Sequence, residues 1–307
     1  MNDEKSILII LGPTGVGKTA AAIQLCIEFG GEVISCDSMQ VYRRFSIGTA
    51  KPRLAECFGV PHHLIDICDP TDLFSAADFV RRTLKLIPEI ESRGKRPVIV
   101  GGTGLYFRSL LEGIFEGPPR VPDIRDRLRA KAAEPGGMED LYKRLGEVDP
   151  VYQSRIHPND RIRIVRALEV AEVTGIPLSV HFEKNSLRLT GRDTIKLGLL
   201  LPRHFLHERI DQRVDSMLRA GFIEEVLGLL SENIPRSATP FGGLGYAQIV
   251  EYLDGKKSFD ETRVEIQKET RRYAKRQMTW FRREKGVIWL RADRLEWLKA
   301  LVRHSLL

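Results

Sequence analysis

The sequence predicts an α/β protein with a doubly wound parallel sheet, interrupted once by a helical insert. Three observations predict it. Apolar, β-branched runs alternate with helix-forming stretches through roughly the first hundred residues, and the alternation resumes near residue 190. The first of these runs feeds a glycine-rich turn that opens a helix. At Gly117-Pro118-Pro119-Arg120-Val121-Pro122 the composition changes, with three prolines in six residues, and the pattern from Asp123 to about Lys184 is helical and charged. The expected division is therefore 1–117 with 190–307 for the α/β core and its C-terminal basic helices, and 118–189 for the insert.

Taken in order, Ser6 to Leu11 reads as the first strand and Thr19 to Cys26 as the first helix. Between them Gly12-Pro13-Thr14-Gly15-Val16-Gly17-Lys18-Thr19 matches G-x-x-x-x-G-K-[ST], the phosphate-cradling pattern of nucleotide-binding proteins, which makes the fold P-loop NTPase-like. The glycines let successive backbone N–H groups converge on an anion, and the helix N-terminus adds partial positive charge. Lys18 reaches phosphate oxygens, and the Thr19 hydroxyl suits Mg²⁺. Gly31 to Ser38 is the second strand, carrying Asp37 to the C-terminal edge, where open parallel sheets bind their ligands. A loop segment rich in Pro, His and Asp (Lys51 to Asp72) precedes a helix from about Ser75 to Arg93. Lys95 to Gly104 is the next strand, delivering Thr103 to the same edge.

Within the insert, breaks are expected at Glu134-Pro135-Gly136-Gly137, Asp149-Pro150, His157-Pro158-Asn159 and Gly175-Ile176-Pro177. Asp160, Arg161, Arg163 and Arg166 bracket Ile162, Val165 and Leu168, so one helix face packs while arginines point outward. Thr194 to Leu201 returns as a strand, Leu206 to Leu218 is helical, and the last third is helical up to a short strand, Val287 to Leu290. Its densest feature runs from Arg263 to Lys285, where helical stepping puts Lys268, Arg272, Lys275 and Arg276 along one face, interleaved with Tyr273, Trp280 and Phe281. Such a run is either a solvated face or an anion-binding surface.

With 307 residues, 42% hydrophobic and 29% charged, the chain can bury a real core. Cys26, Cys36, Cys57 and Cys68 form no C-x-x-C pair and no zinc spacing, which argues for free thiols in a reducing compartment. The run Ile7 to Leu11 is too short for a signal-peptide core or a membrane span, so a cytoplasmic location is expected. The net charge of +7 suggests affinity for an anionic partner.

A P-loop ATPase or GTPase holds Mg²⁺ with an Asp after a hydrophobic strand. Here the strand Pro97 to Val100 ends in Gly-Gly-Thr. Asp37 is followed by Ser38-Met39-Gln40-Val41-Tyr42, which suits an acceptor pocket better than a metal shell, so Asp37 is a candidate general base. Its alternative is a turn cap. His62 and His63, with Asp66 and Asp69 near, match no metal spacing and are read as structural.

These residues sit in a longer series. Gly12 to Thr19, Asp37 to Tyr42, Ile47-Gly48-Thr49-Ala50-Lys51-Pro52, Pro61 to Asp66, Phe74 to Phe79, Gly101-Gly102-Thr103-Gly104-Leu105-Tyr106, Arg155 to Asp160 and Thr270 to Phe281 occur in order across nearly the whole chain. Together they resemble the tRNA dimethylallyltransferase (tRNA isopentenyltransferase) family. One departure stands out: where the family commonly reads Ile-Gly-Tyr-Lys-Glu, this chain has Leu244-Gly245-Tyr246-Ala247-Gln248. No zinc-finger extension follows Leu307, which resembles the bacterial form.

The resemblance implies transfer of a dimethylallyl group from dimethylallyl diphosphate to N6 of the adenosine adjacent to the anticodon, with release of pyrophosphate. It makes Asp37, Thr103 and Arg213 catalytic, and Gly12, Pro13, Thr14, Gly15, Val16, Gly17, Lys18 and Thr19 the diphosphate cradle, with Mg²⁺ held through Thr19. Contacts to the tRNA anticodon stem-loop fall to Asp37, Ser38, Met39, Gln40, Thr103, Arg125, Arg161, Ile162, Arg163, Ile164, Val165, Lys275 and Arg276. No membrane partner is implied, and a monomer is expected. Two rivals stay open on the residues alone: a prenyltransferase for free adenine nucleotide or a nucleotide kinase, and a P-loop switch that binds RNA without modifying it.

Overall fold

The computed structural model describes residues 6–115, 117–118, 121–184, 186–232 and 234–306. Pro119 and Arg120 of the proline-rich boundary lie outside the described residues. Residues up to Arg108 and from Leu189 onward form one compact unit, and Ser109–Arg188 another.

The larger unit opens with β1 (Ile7–Leu11), α1 (Lys18–Phe29), β2 (Gly31–Cys36), β3 (His62–His63), α2 (Ala76–Ser92), β4 (Arg96–Gly101) and α3 (Gly104–Glu112), which runs on into the second unit. Every residue of β1 and β2 is buried, as strands covered on both faces require, and this is why their sequences are continuous rather than alternating. Ser75 caps α2 by accepting from the Asp78 N–H while the Asp78 carboxylate accepts from the Ser75 N–H, which fixes the helix start. The two-residue β3 lies in the segment expected to be loop; it pairs with β2 at Val33–His62 and Ile34–His63.

The smaller unit contains β5 (Ile114–Phe115), α4 (Pro122–Ala133), α5 (Gly137–Val148), α6 (Pro150–Gln153), α7 (Arg161–Thr174), α8 (Leu178–Lys184) and β6 (Ser186–Leu187). Each of the four expected breaks falls between two of these helices. β5 and β6 pair antiparallel, tying together the chain's entry and exit. The core gathers Leu128, Leu141, Leu145, Ile164, Val165 and Leu168.

The chain then returns with β7 (Thr194–Leu200), α9 (Arg203–Arg219), α10 (Phe222–Ser231), α11 (Tyr246–Leu253), α12 (Phe259–Phe281), β8 (Val287–Arg291) and α13 (Leu295–Leu306). The main sheet has the order β3-β2-β4-β1-β7-β8, with every pairing parallel. Strands following β1 in sequence are laid down first on one side of it and then on the other. The crevice beyond the C-terminal end of β1 is therefore the topological switch point, where α/β sheets bind ligands.

Candidate active site at the carboxyl edge of the sheet

The loop after β1 is shaped by close approach. A Cβ on Gly12 would stand 2.7 Å from the Leu199 carbonyl oxygen of β7, and Gly17 enters α1 at φ 101° in the left-handed region. No side chain caps α1, so its first-turn N–H groups face the crevice available to an anion. Lys18 bends back over this loop, donating from Nζ to the Pro13 carbonyl at 2.8 Å. Burial, reinforced by the Arg213 guanidinium, lowers the Lys18 pKa to about 7, against the opposing pull of Asp37. Burial also lowers the pKa of Arg213, with Asp37 again opposing. Two cations thus share one carboxylate, which leaves the site with an excess of positive charge suited to an anion.

Asp37 follows the last residue of β2. Its Oδ1 accepts from the Met39 N–H at 2.8 Å and the Gln40 N–H at 3.2 Å. The turn-capping role is therefore real, and it occupies one carboxylate oxygen. Thr103 follows β4, and its Oγ1 accepts from the Ser38 N–H at 3.1 Å. The Thr103 hydroxyl proton is left to donate elsewhere. Gln40 takes the Ser35 hydroxyl on Oε1 and donates from Nε2 to the Thr49 and Ala50 carbonyls, so it ties β2 to the following loop.

A cavity of about 920 Å³ joins these parts, lined by Thr14, Lys18, Thr19, Asp37, Ser38, Met39, Gln40 and Arg213 among others. Thr103 is not among the lining residues and meets the site through Ser38. One wall is apolar, formed by Val214, Met217, Phe222, Leu244 and Ile266. The loop Ser46–Gly48 is held against this wall by Glu225, whose carboxylate accepts from the Ser46 and Ile47 N–H groups (3.0 and 2.7 Å) and from the Tyr246 hydroxyl (2.6 Å). At the departure from the family pattern, Gln248 Oε1 accepts from the Gly245 N–H at 2.7 Å, so the glutamine supplies the helix-start hydrogen bond that a glutamate would. His63 pairs with the buried Glu32; His62 bonds the Val60 carbonyl through Nδ1 and also lines the cavity. Among the described residues, no group of three His, Cys, Asp or Glu is placed to hold a metal.

Lys275 and Arg276 are exposed on α12 beside a shallow groove of about 400 Å³ that also involves Arg272, Thr279, Trp280 and Arg283; Arg276 lines the cavity as well, whereas Lys275 does not. On α7, Arg161, Ile162 and Arg163 are exposed, Ile162 to 83%. Three residues expected to face RNA point elsewhere. Ile164 and Val165 are buried in the helical core, because the helix period turns them inward. Arg125 donates from Nε and Nη2 to the fully buried Glu169, at 3.2 and 2.5 Å, leaving its side chain 14% exposed. Burial raises the Glu169 pKa, but the hydrogen bonds from Arg125, Arg166 and the Val121 N–H outweigh it and hold the carboxyl below its usual range.

Glu225 and the apolar wall carry no local sequence motif, and Gln277 carries only a weak one. The α12 positions Thr270, Ala274, Gln277 and Phe281 are buried, and a polar side chain at helical spacing within that stripe is the signal that marks Gln277.

The IPP transferase family model matches residues 40–284. A tRNA dimethylallyltransferase from Geobacter metallireducens is 47% identical over 289 residues, spanning 94% of this chain and 93% of that protein. The crystal structure of the full-length tRNA isopentenylpyrophosphate transferase from Bacillus halodurans superposes with a TM-score of 0.73 at 37% identity, over 99% of this chain and 97% of that one. A eukaryotic dimethylallyltransferase, solved in crystallographic snapshots acting on tRNA, gives a TM-score of 0.81 at 31% identity, over 98% of this chain and 77% of that one. With the match covering most of its length, the chain belongs to the IPP transferase family.

Proposed function

We propose that the chain transfers a dimethylallyl group from dimethylallyl diphosphate to N6 of the adenosine adjacent to the anticodon of tRNA, releasing pyrophosphate. The observation that carries this reading is the meeting of Lys18, Arg213 and Asp37 in one cavity at the mouth of the phosphate loop, with an apolar wall alongside. In the reaction, N6 forms a bond to the allylic carbon, the carbon–oxygen bond breaks, and its electron pair leaves on the diphosphate. Charge therefore grows on the diphosphate oxygens, where Lys18, Arg213 and the α1 amides are placed to stabilise it. The amine proton passes to Asp37, through the carboxylate oxygen not committed to the turn. An exocyclic amine is a weak nucleophile, so holding it in line contributes more than base strength does.

Mg²⁺ fits this site through the exposed Thr19 hydroxyl and the substrate's own oxygens, which suits an ion that keeps most of its waters. When bound it supplies further neutralisation of the leaving diphosphate. The apolar wall takes the prenyl tail. Ser38, Met39 and Gln40 shape the pocket for the splayed adenine, which costs less to unstack in a loop than in a duplex. Lys275 and Arg276, and separately Arg161 and Arg163, meet stem-loop phosphates. The reaction takes place where tRNA is found, in the cytoplasm; the four cysteines are buried free thiols, and no helix among the described residues is long and apolar enough to cross a membrane.

The test is to incubate the protein with radiolabelled dimethylallyl diphosphate and bulk tRNA. Label retained on RNA, with one pyrophosphate released per transfer, is expected. Pyrophosphate release without labelled RNA, or phosphate release from ATP coupled to modification, would overturn the reading.

A further inference from the structure

β1 and β4 run side by side in parallel, and their last paired residues are Leu11 and Gly101. Beyond that pair the two chains separate, one into the phosphate loop and the other toward Thr103. One side chain spans the gap. Gln277 Oε1 accepts from the Thr14 N–H at 2.8 Å, and Gln277 Nε2 donates to the Gly102 carbonyl at 2.9 Å. A backbone N–H only donates and a carbonyl only accepts, so the orientation of the amide is forced. The side chain is 6% exposed, which makes both bonds costly to lose. Gln277 thus acts as an additional rung of the sheet, supplied by a helix.

The rung joins the two halves of the chemistry. Thr14 belongs to the cradle, where Lys18 Nζ donates to the adjacent Pro13 carbonyl. Gly102 leads directly to Thr103, which holds the Ser38 N–H next to Asp37. The Thr14 N–H is also occupied by Gln277, so this loop amide is spent on geometry rather than offered to phosphate. A displacement of about 1 Å between reacting groups can cost on the order of a hundredfold in rate.

We propose that Gln277 is a positioning residue that sets the register between the diphosphate cradle and the acceptor edge formed by Asp37 and Thr103. The inference rests on the transferase reading above. It assigns Gln277 to alignment of the two substrates rather than to affinity for either. Few side chains could replace it: glutamate lacks the donor, methionine lacks both functions, and asparagine is one methylene too short to span the gap.

The test uses the full-length protein with two variants that disturb the rung from opposite sides. Gln277→Met removes both hydrogen bonds at nearly constant volume. Gly102→Ala places a Cβ inside contact distance of Gln277 Nε2 and displaces the amide while leaving α12 unchanged. For each, turnover at saturating substrates is measured alongside binding of inorganic pyrophosphate by calorimetry. The expected result is a ten- to hundredfold loss of turnover in both variants, with pyrophosphate affinity within about threefold of wild type. Unchanged turnover in Gln277→Met would overturn the proposal. So would loss of pyrophosphate binding in step with turnover in both variants, which would assign Gln277 to folding alone. A wild-type protein that binds pyrophosphate yet labels no RNA would defeat the transferase reading instead, and the wild-type control separates that failure from this one.

Discussion

Lys18 offers a titration that reports on the cradle directly. Its pKa lies near 7 because burial and the Arg213 charge disfavour the ammonium form. A bound diphosphate supplies the missing counter-charge and raises that pKa, so binding above pH 7 requires uptake of a proton. Below about pH 7 the lysine is charged in both states and affinity is flat with respect to this group. Above it the free protein loses the proton first, and affinity falls about tenfold per pH unit until the bound-state pKa is reached. With a free-state value near 7, about half of Lys18 is charged at pH 7 and about a hundredth at pH 9, so affinity should drop about fiftyfold over that window. Stability of the free protein moves the opposite way. The unfolded chain holds this proton more tightly, so the contribution from Lys18 rises with pH between about 7 and 10.5. Calorimetry of pyrophosphate binding at several pH values, in buffers of differing ionisation enthalpy, measures both affinity and proton uptake. Titration of pyrophosphate itself is removed by comparison with Lys18→Met, which should bind weakly at pH 7 and show no lysine-linked decline. Equal slopes in wild type and variant would place the titration elsewhere and refute the account of Lys18.

Other outcomes follow from individual contacts. Asp37→Asn keeps an oxygen for the Met39 and Gln40 N–H groups, so the turn should survive while turnover falls by about two to four powers of ten at unchanged RNA affinity; normal turnover would leave Asp37 a turn cap only. Glu169→Ala strands the Arg125 and Arg166 guanidinium groups and should cost about 3–5 kcal/mol, read as a lower thermal midpoint, and Arg125→Ala should lower the midpoint without altering the salt dependence of stem-loop binding. Arg163→Ala and Lys275→Ala remove exposed charges, and each should reduce the logarithmic salt slope of that binding by somewhat under one unit with little effect on saturated turnover; wild-type slopes in both would make these faces merely solvated.

Local physics explains what was legible in the sequence. The phosphate loop declares itself because its chemistry needs consecutive backbone positions, and the helices of the insert because proline, glycine and the Asp149 and Asp160 caps mark their ends within a few residues. Asp37 and Thr103 could be placed at the sheet edge because each closes an apolar run. Expectations failed where burial depends on distant chain. Arg125 looks like any surface arginine until α7 supplies the buried Glu169 beneath it, and β3 is a strand only because β2 offers an edge to its two residues.

Gln277 is the sharpest instance, since its partners lie 263 and 175 residues away. What the sequence did show on α12 was the outward basic face, because charge patterning is local. The inward face carries Thr270 and Gln277 among Ala274 and Phe281, a mixed stripe that a helix packed only for stability would fill with aliphatic side chains. A buried polar group without a partner costs more than an apolar one; Thr270 meets this within the helix by donating to the Ile266 carbonyl, whereas Gln277 has to find partners elsewhere in the chain. The Thr14 N–H and the Gly102 carbonyl are those partners for Gln277. The same helix therefore exposes Lys275 and Arg276 to solvent and, with the next residue, ties the loop after β1 to the loop after β4.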